Sequence, residues 1–212
     1  MGKKKKRKRT NRILFVLIIS GLLMSAGLFL LFWKGFVSFR TAKVAGPVLE
    51  EAFLTPNPYS RPQKPLKKVK GIVVHYTANP GTDAMDNRNY FEGLKDKESI
   101  YASSHYIIGL RGQIVQCIPL DEISYASNER NADTISIECC HFKKNGRFSK
   151  KTYQSLVELL AFLCGEYNLK PVDIIRHYDV TGKLCPLYFV KHEDAWKQLR
   201  KDVADYIEKY GK

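Results

Sequence analysis

The chain has 212 residues and a formal net charge of +14. Residues 1–12 carry eight Lys or Arg and no acid, whereas residues 69–212 carry 20 basic and 19 acidic side chains. The basicity therefore belongs to the N-terminal third, which excludes a strongly basic folded domain and gives no reason to expect nucleic acid as a partner.

Taken in chain order, residues 1–12 read as a polybasic tail. Ile13 to Trp33 follows as 21 residues without a charge. A helix of that length spans the roughly 30 Å hydrocarbon core of a bilayer at about 1.5 Å per residue. Ser25-Ala26-Gly27 is small enough to raise the question of cleavage. The apolar run continues through Leu28–Trp33, however, so residues 13–33 read as a transmembrane signal anchor. The N-terminal basic cluster sets the orientation, with the tail cytoplasmic and the rest of the chain on the other side of the cell membrane. Residues 34–68 contain five of the nine prolines, Pro47, Pro56, Pro58, Pro62 and Pro65. They read as a semi-extended stem that builds no core, with room for a short helix around 47–53.

Residues 69–212 are long enough for one sizeable core. Gly71–Tyr76 is an apolar run with strand character, followed by a turn at Asn79-Pro80-Gly81. Asp86–Leu94 suits a helix. Ser104–Leu110 and Gln113–Ile118 read as two strands joined by a tight hairpin at Arg111-Gly112. Thr134–Cys140 alternates, with Ile135, Ile137 and Cys139 on one face and Ser136, Glu138 and Cys140 on the other. Lys151–Asn168 and Lys191–Tyr210 carry apolar residues at helical spacing, Leu156-Leu159-Leu160-Leu163 and Trp196-Leu199-Val203-Ile207. Asp173–Arg176 is a last short strand, and Gly182 and Pro186 make the stretch behind it a turn-rich loop. The pattern predicts an α/β fold, a single domain with a central mixed sheet flanked by helices.

Two histidines each close an apolar run: His75 follows Ile72-Val73-Val74, and His177 follows Ile174-Ile175-Arg176. Cys185 lies on the loop after His177. Two imidazoles and one thiolate are a donor set for Zn²⁺ that leaves a position open, as catalytic zinc requires. Hydrolysis also needs a proton acceptor. Glu138 is the candidate, a carboxylate in an otherwise apolar strand that either points to solvent from an edge or faces a polar site. Lys183, two residues before Cys185, is either an ordinary exposed Lys or an ammonium aimed at a developing oxyanion. The five cysteines, 117, 139, 140, 164 and 185, form no compelling disulfide framework, and an odd count leaves one thiol for the metal.

Four motifs together carry a family resemblance. Val73-Val74-His75-Tyr76-Thr77-Ala78, Ser104-His105-Tyr106-Ile107-Ile108, Ile135-Ser136-Ile137-Glu138 and His177…Gly182-Lys183-Leu184-Cys185-Pro186 resemble the type 2 N-acetylmuramoyl-L-alanine amidases over residues 70 to about 210. The resemblance implies zinc ligands at His75, His177 and Cys185, a general base at Glu138 and an oxyanion stabiliser at Lys183. It implies peptidoglycan as substrate, cleaved at the amide between the lactyl group of N-acetylmuramic acid and L-alanine. Some members carry a catalytic Tyr just before the His of the second motif; here that position is Ser104. His105, Tyr125 and Asn128 are assigned to the substrate groove, and Asp179 is a candidate partner for His177. Two readings compete with the enzyme. One is a non-catalytic peptidoglycan sensor, a kind of family member that typically lacks the thiolate ligand. The other is a Cys185–His177 peptidase, which leaves His75, Glu138 and Lys183 without roles.

Overall fold

The computed structural model describes residues 40–212, and residues 41–212 form one compact unit. The expected tail and anchor, residues 1–33, lie outside the described residues. Among the described residues no helix is long and apolar enough to cross a membrane.

The sheet contains β1 (Glu50–Glu51), β2 (Gly71–Tyr76), β3 (Tyr106–Ile108), β4 (Ile114–Gln116), β5 (Thr134–Cys139) and β6 (Ile174–Arg176). Its strand order is β1-β4-β3-β5-β2-β6. Only β3–β4 is antiparallel; every other pair is parallel. The helices are α1 (Ala84–Glu92), α2 (Leu94–Lys97), α3 (Lys150–Tyr167), α4 (His177–Thr181), α5 (Leu187–Lys191) and α6 (Glu193–Tyr210). The mixed sheet flanked by helices is the architecture expected.

Local chemistry sets the boundaries. Asp83 caps α1 and its backbone N–H donates to the Asp86 carboxylate, closing a capping box. Ser149 caps α3, and Asn168 ends it in a left-handed conformation. Gly112 closes the β3–β4 hairpin at φ 87°, and a Cβ there would lie 2.9 Å from the Lys151 carbonyl of α3. The C-terminal apolar stripe lies entirely on α6, with Trp196, Leu199 and Val203 buried, and the separate short helix α5 precedes it.

One face of the sheet, with Ile72, Val74, Ile135, Ile137 and Cys139, packs under α3 and α6. The opposite face packs Ile107, Val115 and Cys140 against Ala84, Phe91 and Leu94 of α1 and α2. Cys139 and Cys140 thus enter opposite cores, as strand alternation requires. All five cysteines are free and buried.

The stem expectation fails for residues 41–68. Val44, Leu54 and Leu66 are buried, and the segment supplies β1, which pairs parallel with β4, in place of the short helix expected there. Leu54 sits in the second core beside Phe91, Leu94 and Val115. Its backbone N–H donates to the Cys117 carbonyl at 2.9 Å. Proline content misled because proline removes a donor without preventing intervening apolar residues from docking at a sheet edge.

This docking predicts that Leu54→Ala destabilises the protein by about 2–5 kcal/mol, the ordinary result of emptying a buried leucine site. Denaturant unfolding measures it. A loss near zero would show that the segment does not belong to the folded unit.

Candidate active site

Strands β2, β5 and β6 run parallel, so their C-terminal ends gather at one edge of the sheet. His75 is directly opposite Glu138 across the β2–β5 ladder. The two side chains therefore project to the same face. His177 follows β6 immediately and opens α4. This short helix replaces the loop expected after the strand. Gly182 ends it at φ 76°, a left-handed turn that returns the chain towards β2 and brings in Lys183 and Cys185.

The three predicted ligands converge. The ligand atoms of His75, His177 and Cys185 lie within 4.8 Å of one another. Cys185 Sγ is 3.7 Å from His75 Nδ1. The two imidazole rings meet edge-on with centroids 4.7 Å apart. Glu138, Lys183, Tyr125 and Asn128 line the same cleft of about 390 Å³.

The far side of each imidazole is held by the loop between β4 and β5. His75 Nε2 is 3.2 Å from Ser127 Oγ, and His177 Nε2–H donates to Asn128 Oδ1 at 3.1 Å. Asn131 Oδ1 accepts from the backbone N–H groups of Ala126 and Ser127, which shapes that loop. Outer partners of this kind fix the ring orientation of metal-binding histidines. Asn128 thus acts on His177 as well as lining the cleft. Ser127 and Asn131 carry no periodic signal in the sequence; only a polar cluster between two apolar strands hints at them.

Burial dominates the electrostatics. It holds His75 well below the ordinary imidazole range, with His177 and Lys183 adding to the effect. His177 is lowered by burial and then by Lys183. Burial pushes the Cys185 thiol up to about 12, reinforced by Glu138 and opposed by a Tyr76 N–H hydrogen bond and Lys183. Burial raises Glu138 to about 7 against the pull of Lys183. Glu138 Oε2 is buried without a hydrogen-bond partner among the described residues. Two neutral imidazoles, a thiol that is costly to ionise alone and an unpartnered carboxylate oxygen fit a divalent cation such as Zn²⁺, whose charge makes the thiolate affordable.

Two expected positions are corrected. His105 does not reach the cleft. It is fully buried, with Nδ1 accepting from the Ser136 N–H at 3.0 Å and Nε2–H donating to the Glu122 carbonyl at 2.9 Å. Strand parity turns it towards Ser136, leaving it in the core as a neutral linker. Asp179 does not hold His177. It caps α4 through the Arg176 N–H at 2.8 Å and pairs with the Arg176 guanidinium at 2.7 Å. Arg176 also binds Glu193 at 2.6 Å and so ties α4 to α6.

The sequence profile of the N-acetylmuramoyl-L-alanine amidase family matches residues 65–187. The N-acetylmuramoyl-L-alanine amidase CwlL of Bacillus licheniformis is 38% identical over 171 residues, covering 73% of this chain and 46% of the relative. BlyA of Bacillus subtilis, another N-acetylmuramoyl-L-alanine amidase, is 30% identical over 177 residues, covering 74% of this chain and 47% of the relative. The chain thus spans about half the length of the curated relatives it matches. The solved catalytic domain of XlyA superposes with a TM-score of 0.62 at 24% identity, covering 73% of this chain and 99% of that one. This last likeness shows a shared fold.

The position of His105 has a consequence in acid. Burial lowers its folded-state pKa to about 4, against the hydrogen bond to Glu122. Between pH 6.5 and about 4 the unfolded chain therefore binds more protons, and stability falls as pH falls. At about 1.4 kcal/mol per pKa unit the loss across that window is about 3 kcal/mol. His105→Gln, compared with the wild type by denaturant unfolding at each pH, should lose less over the same window. Parallel curves would place His105 outside the buried network.

Proposed function

The chain belongs to the N-acetylmuramoyl-L-alanine amidase family, and from that membership we propose that it is a zinc-dependent hydrolase of peptidoglycan. The bond cleaved is the amide between the lactyl group of N-acetylmuramic acid and L-alanine of the stem peptide. The observation that carries this reading is the convergence of His75, His177 and Cys185 in one cleft with Glu138 and Lys183.

His75, His177 and Cys185 are the residues that would hold the ion. When bound, zinc supplies Lewis acidity that polarises an amide carbonyl and makes water a better nucleophile at neutral pH. Glu138 takes the proton of the attacking water. Its place opposite His75, with a buried and unpartnered Oε2 in the cleft, suits a group that accepts that proton and returns it to the departing nitrogen of L-alanine. Lys183, exposed at the rim of the cleft, offers its ammonium to the negative charge that develops on the carbonyl oxygen. Ser127 and Asn128 keep the two imidazoles in place throughout. The buried Cys185 and the presence of all five groups favour this reading over a non-catalytic sensor.

The assignment of roles predicts a split between metal content and turnover. Glu138→Gln retains zinc and wall-fragment binding and loses about 10²–10⁴ in rate. Lys183→Ala loses about 10²–10³, mostly in kcat. Cys185→Ala loses the metal as well as the activity. Zinc analysis and release of L-alanine amino termini on the same samples check all three. Native turnover by Glu138→Gln would move the base elsewhere.

We further propose that residues 13–33 anchor the chain in the cell membrane, with residues 1–12 cytoplasmic and the catalytic domain on the opposite side, facing the wall. The support is the uncharged run from Ile13 to Trp33 behind eight basic residues. A reporter fused after Lys212 should be active only outside the membrane. Activity confined to the cytoplasm contradicts the orientation.

A further inference from the structure

The segment expected to be a stem does more than pack. Residues 56–64 wall a hollow of about 510 Å³ whose inner side is formed by Tyr101 and Tyr125. The same two tyrosines line the catalytic cleft. The two spaces therefore share these rings as a common wall, and the rings meet edge-on with centroids 5.6 Å apart. Residues 56–64 lie just before the stretch matched by the family profile, residues 65–187.

Most polar groups of the wall are committed to holding its shape. Arg61 pairs with Glu122 at 2.8 Å and donates to the Leu54 carbonyl at 2.9 Å. Asn57 donates to the Thr55 carbonyl and to Ser60 Oγ, and its Oδ1 accepts the N–H groups of Tyr59 and Ser60. Lys64 differs. Its side chain is exposed, it forms no salt bridge among the described residues, and its Nζ lies 5.9 Å from the centroid of the Tyr125 ring. Tyr101 is 61% exposed, so much of its ring is open to a ligand. No Asp or Glu lines the hollow.

An uncommitted ammonium above an aromatic floor, with proline rings beside it and no opposing carboxylate, complements an extended ligand that carries negative charge. A neutral sugar chain has no use for the ammonium. The leaving group of the proposed reaction is a peptide, and a linear peptide ends in a carboxylate. We propose that this hollow is a subsite for the acidic stem peptide. The peptide runs from the scissile L-alanine across Tyr101 and Tyr125, and a carboxylate meets Lys64. The assignment rests on the amidase reading of the cleft. It makes Lys64 a specificity-determining residue that acts on the substrate well away from the reacting bond.

The test compares N-acetylmuramoyl peptides that differ only in whether the peptide carboxylates are free or amidated. Wild type should prefer the free acids by about fivefold in kcat/KM, expressed through KM, as expected for one partly solvated ion pair. Lys64→Gln should bring the ratio towards one, Lys64→Arg should restore it, and the wild-type preference should shrink in high salt. Titrating the same peptides without sugar into wild type and Lys64→Gln reads the subsite independently of hydrolysis. Charge-dependent binding that requires Lys64, without cleavage of any substrate, would leave the subsite standing and remove the amidase reading. An equal preference for both substrates in the wild type overturns the proposal. So does a ratio unaffected by Lys64→Gln, or a Tyr101→Ala defect that follows the number of sugars instead of the peptide charge.

Discussion

The thiol proposed here as a metal ligand is buried beside a carboxylate. Burial and Glu138 both oppose ionisation of Cys185, and the Tyr76 N–H and Lys183 relieve only part of that cost. The neighbouring imidazoles are held neutral by the same burial. A cation shared by the three resolves the conflict, because its charge compensates the thiolate while the neutral imidazoles keep lone pairs for it. On the proposed reading, the same burial that disfavours the lone thiolate favours a cation at these three side chains.

The fold meets that constraint through register. Parallel pairing of β5, β2 and β6 gathers the ends of three strands at one edge, where α/β sheets commonly carry their ligands. His75 and Glu138 are ladder neighbours, so the proposed base and one ligand are positioned by the same backbone hydrogen bonds. His177 is one residue beyond β6, and the Arg176–Asp179–Glu193 network fixes the short helix it opens. Cys185 arrives from the turn at Gly182. The loop at 124–131 completes the arrangement from the other side, giving each imidazole an outer partner. A shift of β2 by one residue would turn His75 into the opposite core and dismantle the site.

The legible parts of the site were those tied to strand patterning. Apolar runs ending in His75 and His177, and alternation through Ile135–Cys139, pointed to the two histidines and Glu138 that line the cleft, because a two-residue period assigns each side chain a face. What that period does not reveal is which face is wet. His105 occupies the same kind of position as His75, at the edge of an apolar strand, yet packs against Ser136 and Glu122 in the interior. Asp179 was readable as acidic but not as a helix cap, since its partner Arg176 became evident only with the turn of α4. Ser127 and Asn131 act through loop geometry, to which hydrophobic periodicity is blind. Residues 41–68 depart from the stem expectation for a related reason. Prolines mark where regular hydrogen bonding stops, and they leave open whether Leu54 and Leu66 between them are buried.

The central claim is that two imidazoles and one thiolate of this chain hold a single zinc ion. X-ray absorption at the zinc edge of the purified protein tests it directly. The account predicts one zinc per chain, with one sulfur neighbour at about 2.3 Å and nitrogen or oxygen neighbours at about 2.0–2.1 Å. The sulfur should vanish from the shell in Cys185→Ser. A stoichiometric zinc whose shell contains no sulfur, or a fully active protein without zinc, would contradict it.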